Sequence, residues 1–248
     1  MIHNVFGGCG TGKSAFLGRL VSQLYWEHGQ EIWDNSRRII EEKNKKRKKK
    51  LTPPDRVPIY TVNFKIRIPL PDGGVYETYE IKGKEIGLGK GYRKFYPGSV
   101  IIVDEAQNEF NSKENLPRPV SAFFEKHRHA RLEIWLAAQR PILINKDIRA
   151  ITTHFIEIQK LEHKLNIFNE PYESCWTCRE FDNNTAVEEY IEYDKSSTTK
   201  YEPNYKETTY RHRGNIFEIY DSYSCIDEYF PDEEEDFETK QKQAVSAA

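Results

Sequence analysis

The segment GGCGTGKS, Gly7 to Ser14, constrains the fold of this chain more than any other stretch. It matches G-x-x-x-x-G-K-S and lies between a short apolar run holding Ile2, Val5 and Phe6 and a helical stretch, AFLGRLVSQLYWEHG. A strand, a glycine-rich loop and a helix in that order form a phosphate cradle. Backbone N–H groups converge at the helix N-terminus, where unpaired amides and the helix dipole both favour negative charge. Glycines let the backbone turn tightly and approach the oxygens. The sequence therefore assigns Gly7, Gly8, Cys9, Gly10, Thr11, Gly12, Lys13, Ser14 and Ala15 to binding ATP, with Lys13 reaching the β- and γ-phosphates and the Ser14 hydroxyl on Mg²⁺. In the helix, Phe16, Leu20 and Leu24 form a stripe with Leu17 and Val21 beside it, the spacing of a face packed on a sheet.

A second signal lies far along the chain. In SVIIVDEAQNEF, Val100 to Val103 are a continuous apolar run that suits a strand buried on both faces, and it ends at Asp104 and Glu105. Ligands of open α/β sheets bind outside the carboxyl ends of the strands. Asp104 is thus expected to hold Mg²⁺ through water and Glu105 to polarise the attacking water. The next apolar strand, Leu132 to Ala138, ends in Gln139 and Arg140, where a polar side chain can touch the γ-phosphate. PRPVSAFFEKHRHA reads as a helix with Phe123 and Phe124 inward, INKDIRAIT as a short helix and THFIEIQKL as a fifth strand. Strands alternating with helices predict a mostly parallel sheet with helices on both faces.

The remaining segments are less regular. The prolines of LTPPDRVP stop any helix. YTVNFKIRIPL and VYETYEIKG, separated by Pro-Asp-Gly-Gly, read as a β-hairpin forming an insertion or an edge, and KEIGLGKGYRKFYPG as a loop. The expected division is residues 1–170 as the P-loop domain, with the basic segment and hairpin at about 37–98, and residues 171–248 as a β-rich appendage with alternating stretches such as AVEEYIEY, ending in an acidic tail.

Charge is more informative by place than by sum. The 248 residues carry a net charge of −2, which argues against a uniformly basic nucleic-acid coat. Arg37 to Lys50, RRIIEEKNKKRKKK, nonetheless holds nine basic residues against two glutamates. Such a block is expected to stay solvated and mobile, or to contact phosphates of single-stranded DNA or of an anionic membrane face. No apolar run approaches the ~20 residues that span a bilayer, and no signal-peptide pattern opens the chain, so the expectation is a cytoplasmic protein. Of four cysteines, Cys175 and Cys178 have metal-like spacing, which Cys225 with His163 or His212 would have to complete.

GGCGTGKS, VIIVDEAQ, EKHRHARLEIWLAAQRP and INKDIRAI together resemble the Zot domain, named for zonula occludens toxin and shared with a filamentous-phage assembly protein. EKHRHA before the fourth strand and QRP after it are the specific part of a likeness that spans roughly residues 1–160. The resemblance implies a P-loop NTPase of the additional-strand class, an ATPase motor that works as a ring at the inner face of the bacterial membrane during phage extrusion, with phage or membrane assembly proteins as partners. By that likeness Lys13 and Ser14 bind nucleotide and Mg²⁺, Asp104 and Glu105 are the Walker B pair and Gln139 is a sensor. An arginine finger would come from Arg128, Arg131, Arg140 or Arg149, with Arg128 and Arg140 counted among the catalytic candidates. The family's usual transmembrane helix has no counterpart in the sequence, so the resemblance implies a separate membrane partner or a longer chain. Two other functions fit the same fold: a DNA-packaging or DNA-translocating ATPase using the basic segment, and an ATP-dependent docking switch with little turnover.

Overall fold

A computed structural model describes residues 1–48, 50–62, 64–81, 95–169, 171–195, 204–216 and 219. Its centre is β1 (Ile2–Phe6), which leads through the glycine loop into α1 (Lys13–Lys45). Then follow β2 (Ile59–Val62), β3 (Arg67–Pro69), β4 (Val75–Glu77), β5 (Tyr79–Ile81), β6 (Val100–Val103), α2 (Ala106–Glu109) and α3 (Arg118–Lys126). The chain continues through β7 (Glu133–Ala138), α4 (Lys146–Ile151), β8 (His154–Leu165), β9 (Pro171–Phe181), α5 (Asn184–Lys195) and β10 (Lys206–Arg213).

Eight strands make one sheet in the order β10-β9-β8-β1-β7-β6-β2-β5. From β8 to β5 every neighbouring pair is parallel, whereas β8, β9 and β10 form an antiparallel meander. β7 therefore stands between the strand before the phosphate loop and the strand that ends in Asp104. That inserted strand defines the additional-strand P-loop NTPase fold expected from the sequence.

Alternation along the buried strands feeds two cores. Val5, Val100, Ile102 and Ala137 point to the α1 face with Phe16, Leu17, Leu20 and Val21. Ile101, Val103, Ile134 and Leu136 point to the other face with Val120, Phe123, Phe124 and Ile148. A run such as VIIV is apolar throughout because both faces of a parallel sheet are covered. A smaller cluster, Phe6, Phe155, Phe181 and Val187, lies under α5.

Four local expectations change. The helix after the loop does not end before the basic block: Ser36, Ile39 and Ile40 are buried, so its packed stripe carries it on to Lys45. Of the expected hairpin only the inner part forms, with Arg67 opposite Glu77 and Pro69 opposite Val75. Its outer parts are β2 and β5, which run parallel to each other in the main sheet, where all four residues of β2 are buried. AVEEYIEY is not a strand but lies in α5, because Val187, Tyr190 and Ile191 share one helical face against Phe181. Beyond residue 171, β9 extends the main sheet through a long register with β8, rather than starting a separate one. Most of KEIGLGKGYRKFYPG lies outside the described residues, as do Cys225 and the acidic tail.

Candidate nucleotide site

The glycine loop is anchored from both sides. The Lys13 side chain is buried and its ammonium donates to the carbonyls of Gly7 and Gly8, both at 3.0 Å. Thr11 Oγ1 donates to Gly8 O at 2.9 Å. Gly12 caps α1 in the left-handed region, and its carbonyl accepts from Phe16 N–H at 2.9 Å and from the indole N–H of Trp176 at 3.1 Å. Leu161 of β8 lies directly over Gly12. Neither Trp176 nor Leu161 was visible as a site residue in the sequence; each is more than a hundred residues from the loop and carries no motif.

Strand register delivers the carboxylates to the same place. Val103 pairs with Leu136, and Ala138 with Phe6, so Asp104 and Gln139 leave their strands close to the start of the loop. Ser14 Oγ donates to Asp104 Oδ2 at 2.6 Å, closing a sequence gap of 90 residues. Asp104 is almost wholly buried, and that burial raises its carboxyl pKa, opposed by the Ser14 hydroxyl and by Glu105 N–H, which donates to Asp104 Oδ1 at 2.9 Å. Glu105 has φ 46° and ψ 43°, a left-handed conformation that turns the chain from β6 straight into α2. A non-glycine residue held there is strained, and such strain clusters at functional sites. The amide of Gln107, a residue the sequence reading passed over, donates to the Glu105 carboxylate.

The donor set fits the ligands expected for it. A hydroxyl and a carboxylate in contact are hard oxygen donors of the type Mg²⁺ takes, and they sit at the start of α1 where phosphate oxygens would be received. Beside Gly7 and Gly8 opens a cavity of about 370 Å³ lined also by Gln139, Arg140, Glu157 and Tyr190.

The arginine candidates separate. Arg140 is exposed at the rim of that cavity. Arg149 is tied to Glu188 of α5 at 3.2 Å. Arg128 and Arg131 precede β7 near the amino terminus, where Ile134 N–H donates to Met1 O, at the end of the strands opposite the loop. Arg128 therefore lies away from this chain's own loop, because it comes before rather than after its strand. Cys175 and Cys178, three positions apart on β9, face opposite sides of the strand, and no cluster of three metal-binding side chains occurs among the described residues. Nor is any described helix long and apolar enough to cross a membrane.

A family model described as zonular occludens toxin (Zot) matches residues 76–225, more than half of the chain. The matched range begins after the phosphate loop and runs beyond the expected residue 160 through β9 and β10. Among solved structures, the N-terminal domain of zonular occludens toxin from Neisseria meningitidis is similar, with a TM-score of 0.52 and 16% identity over 89% of this chain and 98% of that one. The genome packaging NTPase B204 from Sulfolobus turreted icosahedral virus 2, in complex with AMPPCP, gives a TM-score of 0.44 and 12% identity over 83% and 95%. At such identities the first likeness speaks to fold alone. No curated protein matches the chain.

Proposed function

Because the chain belongs to the zonular occludens toxin (Zot) family, we propose that its phosphate loop serves an Mg²⁺-dependent ATPase that works as an oligomeric motor. The observation that carries this reading is the contact of Ser14 with Asp104, which brings the loop and the carboxylate strand into one oxygen-rich site with Glu105 next to it. Lys13 and the loop amides hold the phosphates, and Ser14 and Asp104 hold the metal. Mg²⁺, when bound, neutralises charge on the phosphate oxygens. Glu105, oriented by Gln107, accepts the proton of the attacking water, and Gln139 contacts the transferring phosphoryl group from β7. The cavity between Gly7, Glu157 and Tyr190 is of a size to take ribose and base beside the loop.

Such motors complete each site with an arginine from a neighbour, a contribution of about 10³ to 10⁵ in rate where measured in related systems. In this reading Arg140, exposed at the rim, contacts nucleotide in its own subunit, and Arg128, at the far end of the strands, acts on a neighbouring one. The role proposed for the motor is filamentous-phage assembly and extrusion from the inner face of the bacterial membrane, in partnership with a membrane protein. A DNA-packaging motor uses the same site, and a docking switch would use its binding half alone.

Phosphate release from ATP and Mg²⁺, followed across protein concentration, tests the reading. The rate per subunit is expected to rise with concentration, and Glu105→Gln to lower it by roughly 10² to 10⁴ while ATP still binds. A rate that is near zero and flat in both proteins would leave only the switch.

A further inference from the structure

The opposite end of α1 carries a feature that nucleotide chemistry does not use. A helix of 33 residues spans roughly 50 Å, so the chain that starts at Lys13 ends far from the phosphates. There the backbone tightens, with Lys46 N–H on Lys43 O at 3.2 Å and Arg47 N–H on Asn44 O at 3.3 Å. The Asn44 side chain then closes the turn: its Nδ2 donates to Leu51 O at 2.9 Å and its Oδ1 accepts from Leu51 N–H at 2.7 Å. A second tether, Trp33 Nε1 to Pro54 O at 3.0 Å, fixes the returning chain against the helix. The sequence between Asn44 and Leu51 is entirely Lys and Arg.

Two observations turn this basic stretch into a surface with a direction. Arg47, Lys48, Lys50 and Leu51 line an open concavity of about 300 Å³. Elsewhere several cations are matched by carboxylates, as in Arg67 with Glu77, Lys160 with Glu162 and Lys164 with Glu173. Lys45, Lys46, Arg47, Lys48 and Lys50 are all exposed, and among the described residues none has a carboxylate at ion-pair distance. Concentrating like charges in a closed turn is unfavourable by itself, and a polyanion relieves it.

We propose that this clamped turn receives the phosphate backbone of a nucleic acid, independently of ATP turnover. An anionic membrane offers phosphates too, but segments that insert into a lipid surface set large apolar side chains along one face beside their cations. From Lys43 to Lys50 there is none, and Leu51 at the end of the concavity is a single exposed aliphatic residue rather than a face of them. The turn has no aromatic side chain for stacking bases, so it reads the backbone and not the sequence.

The test uses the full chain and labelled oligonucleotides of mixed sequence, single-stranded and duplex, followed by fluorescence anisotropy across salt. With about four phosphate contacts, the logarithm of affinity falls against the logarithm of salt with a slope near −3 to −4. Replacing Lys45, Lys46, Arg47, Lys48 and Lys50 by Gln is expected to weaken binding at least tenfold and flatten that slope, with phosphate release in the absence of nucleic acid unchanged. Asn44→Ala keeps every charge and frees the turn, and should weaken binding several-fold. Binding by the Gln variant equal to that of the original chain overturns the proposal, and an Asn44→Ala affinity equal to the original overturns the role of the clamp. Pelleting with phosphatidylserine vesicles but no salt-dependent oligonucleotide binding assigns the turn to lipid and also overturns it.

Discussion

At Gly12 the backbone has φ +84°, and a Cβ placed there would meet Leu161 Cδ2 at 2.4 Å and Leu161 Cβ at 2.9 Å. Two separate faults therefore await any larger residue, one conformational and one steric. Gly12→Ala is expected to lose at least tenfold in affinity for a fluorescent ATP analogue, because the start of α1 must move and with it the amides that receive phosphate. Adding Leu161→Ala relieves the crowding but not the left-handed backbone, so the double variant should recover only part of the loss. Full recovery would mean that contact alone fixed the glycine. The loop itself was legible because its residues are contiguous and each has a separate chemical duty. Trp176 was not, since its bond to Gly12 spans 164 positions and depends on how β9 curls back over α1.

Elements were legible in proportion to how much of their burial shows as pattern. VIIV and LEIWLAA announce strands covered on both faces, and the carboxylates and glutamine at their ends follow from strand direction. β2 was legible as part of a hairpin arm but not as a strand buried in the main sheet, because Tyr60 and Thr61 lend IYTV a half-polar look although every residue in it is buried. AVEEYIEY misleads differently: its apolar residues satisfy a period of two over a short window and a helical spacing over a longer one, and the contact with Phe181 decides for the helix. Phe181 is fully buried between Phe6, Tyr190 and Tyr205, so it joins α5 to the main sheet. Phe181→Ala should lower stability by about 3 to 5 kcal/mol, read from urea unfolding. A loss below about 1 kcal/mol, within the range of an ordinary surface substitution, would show that α5 does not rest on this residue.

At the scale of the whole molecule, a histidine in the central strand links stability to pH. His3 of β1 lies in register with Trp135 on one side and His154 on the other. Its ring stacks on Trp135 with centroids 3.9 Å apart and meets His154 edge-on at 5.8 Å. Burial, then His154, then the amino terminus bring its pKa down to about 3, although Glu133 Oε1 stands 3.6 Å from Nε2. Unfolding returns the ring to an ordinary value near 6.5. Between those two values the unfolded chain binds a proton that the folded chain refuses, so stability rises with pH across that window. The contribution is complete above about pH 6.5 and is lost as pH falls toward 3. One such proton supplies a slope of at most about 1.4 kcal/mol per pH unit. Carboxylates also weaken the fold in acid, so the comparison must be with a variant. His3→Gln removes the titrating group from the centre of the sheet, and its urea midpoint should fall less steeply from pH 7 to pH 4 than that of the original chain. Parallel curves for the two proteins would mean that His3 carries no proton-linked stability, and that the acid response belongs to the carboxylates and to His127 and His212, whose pKa values burial also lowers.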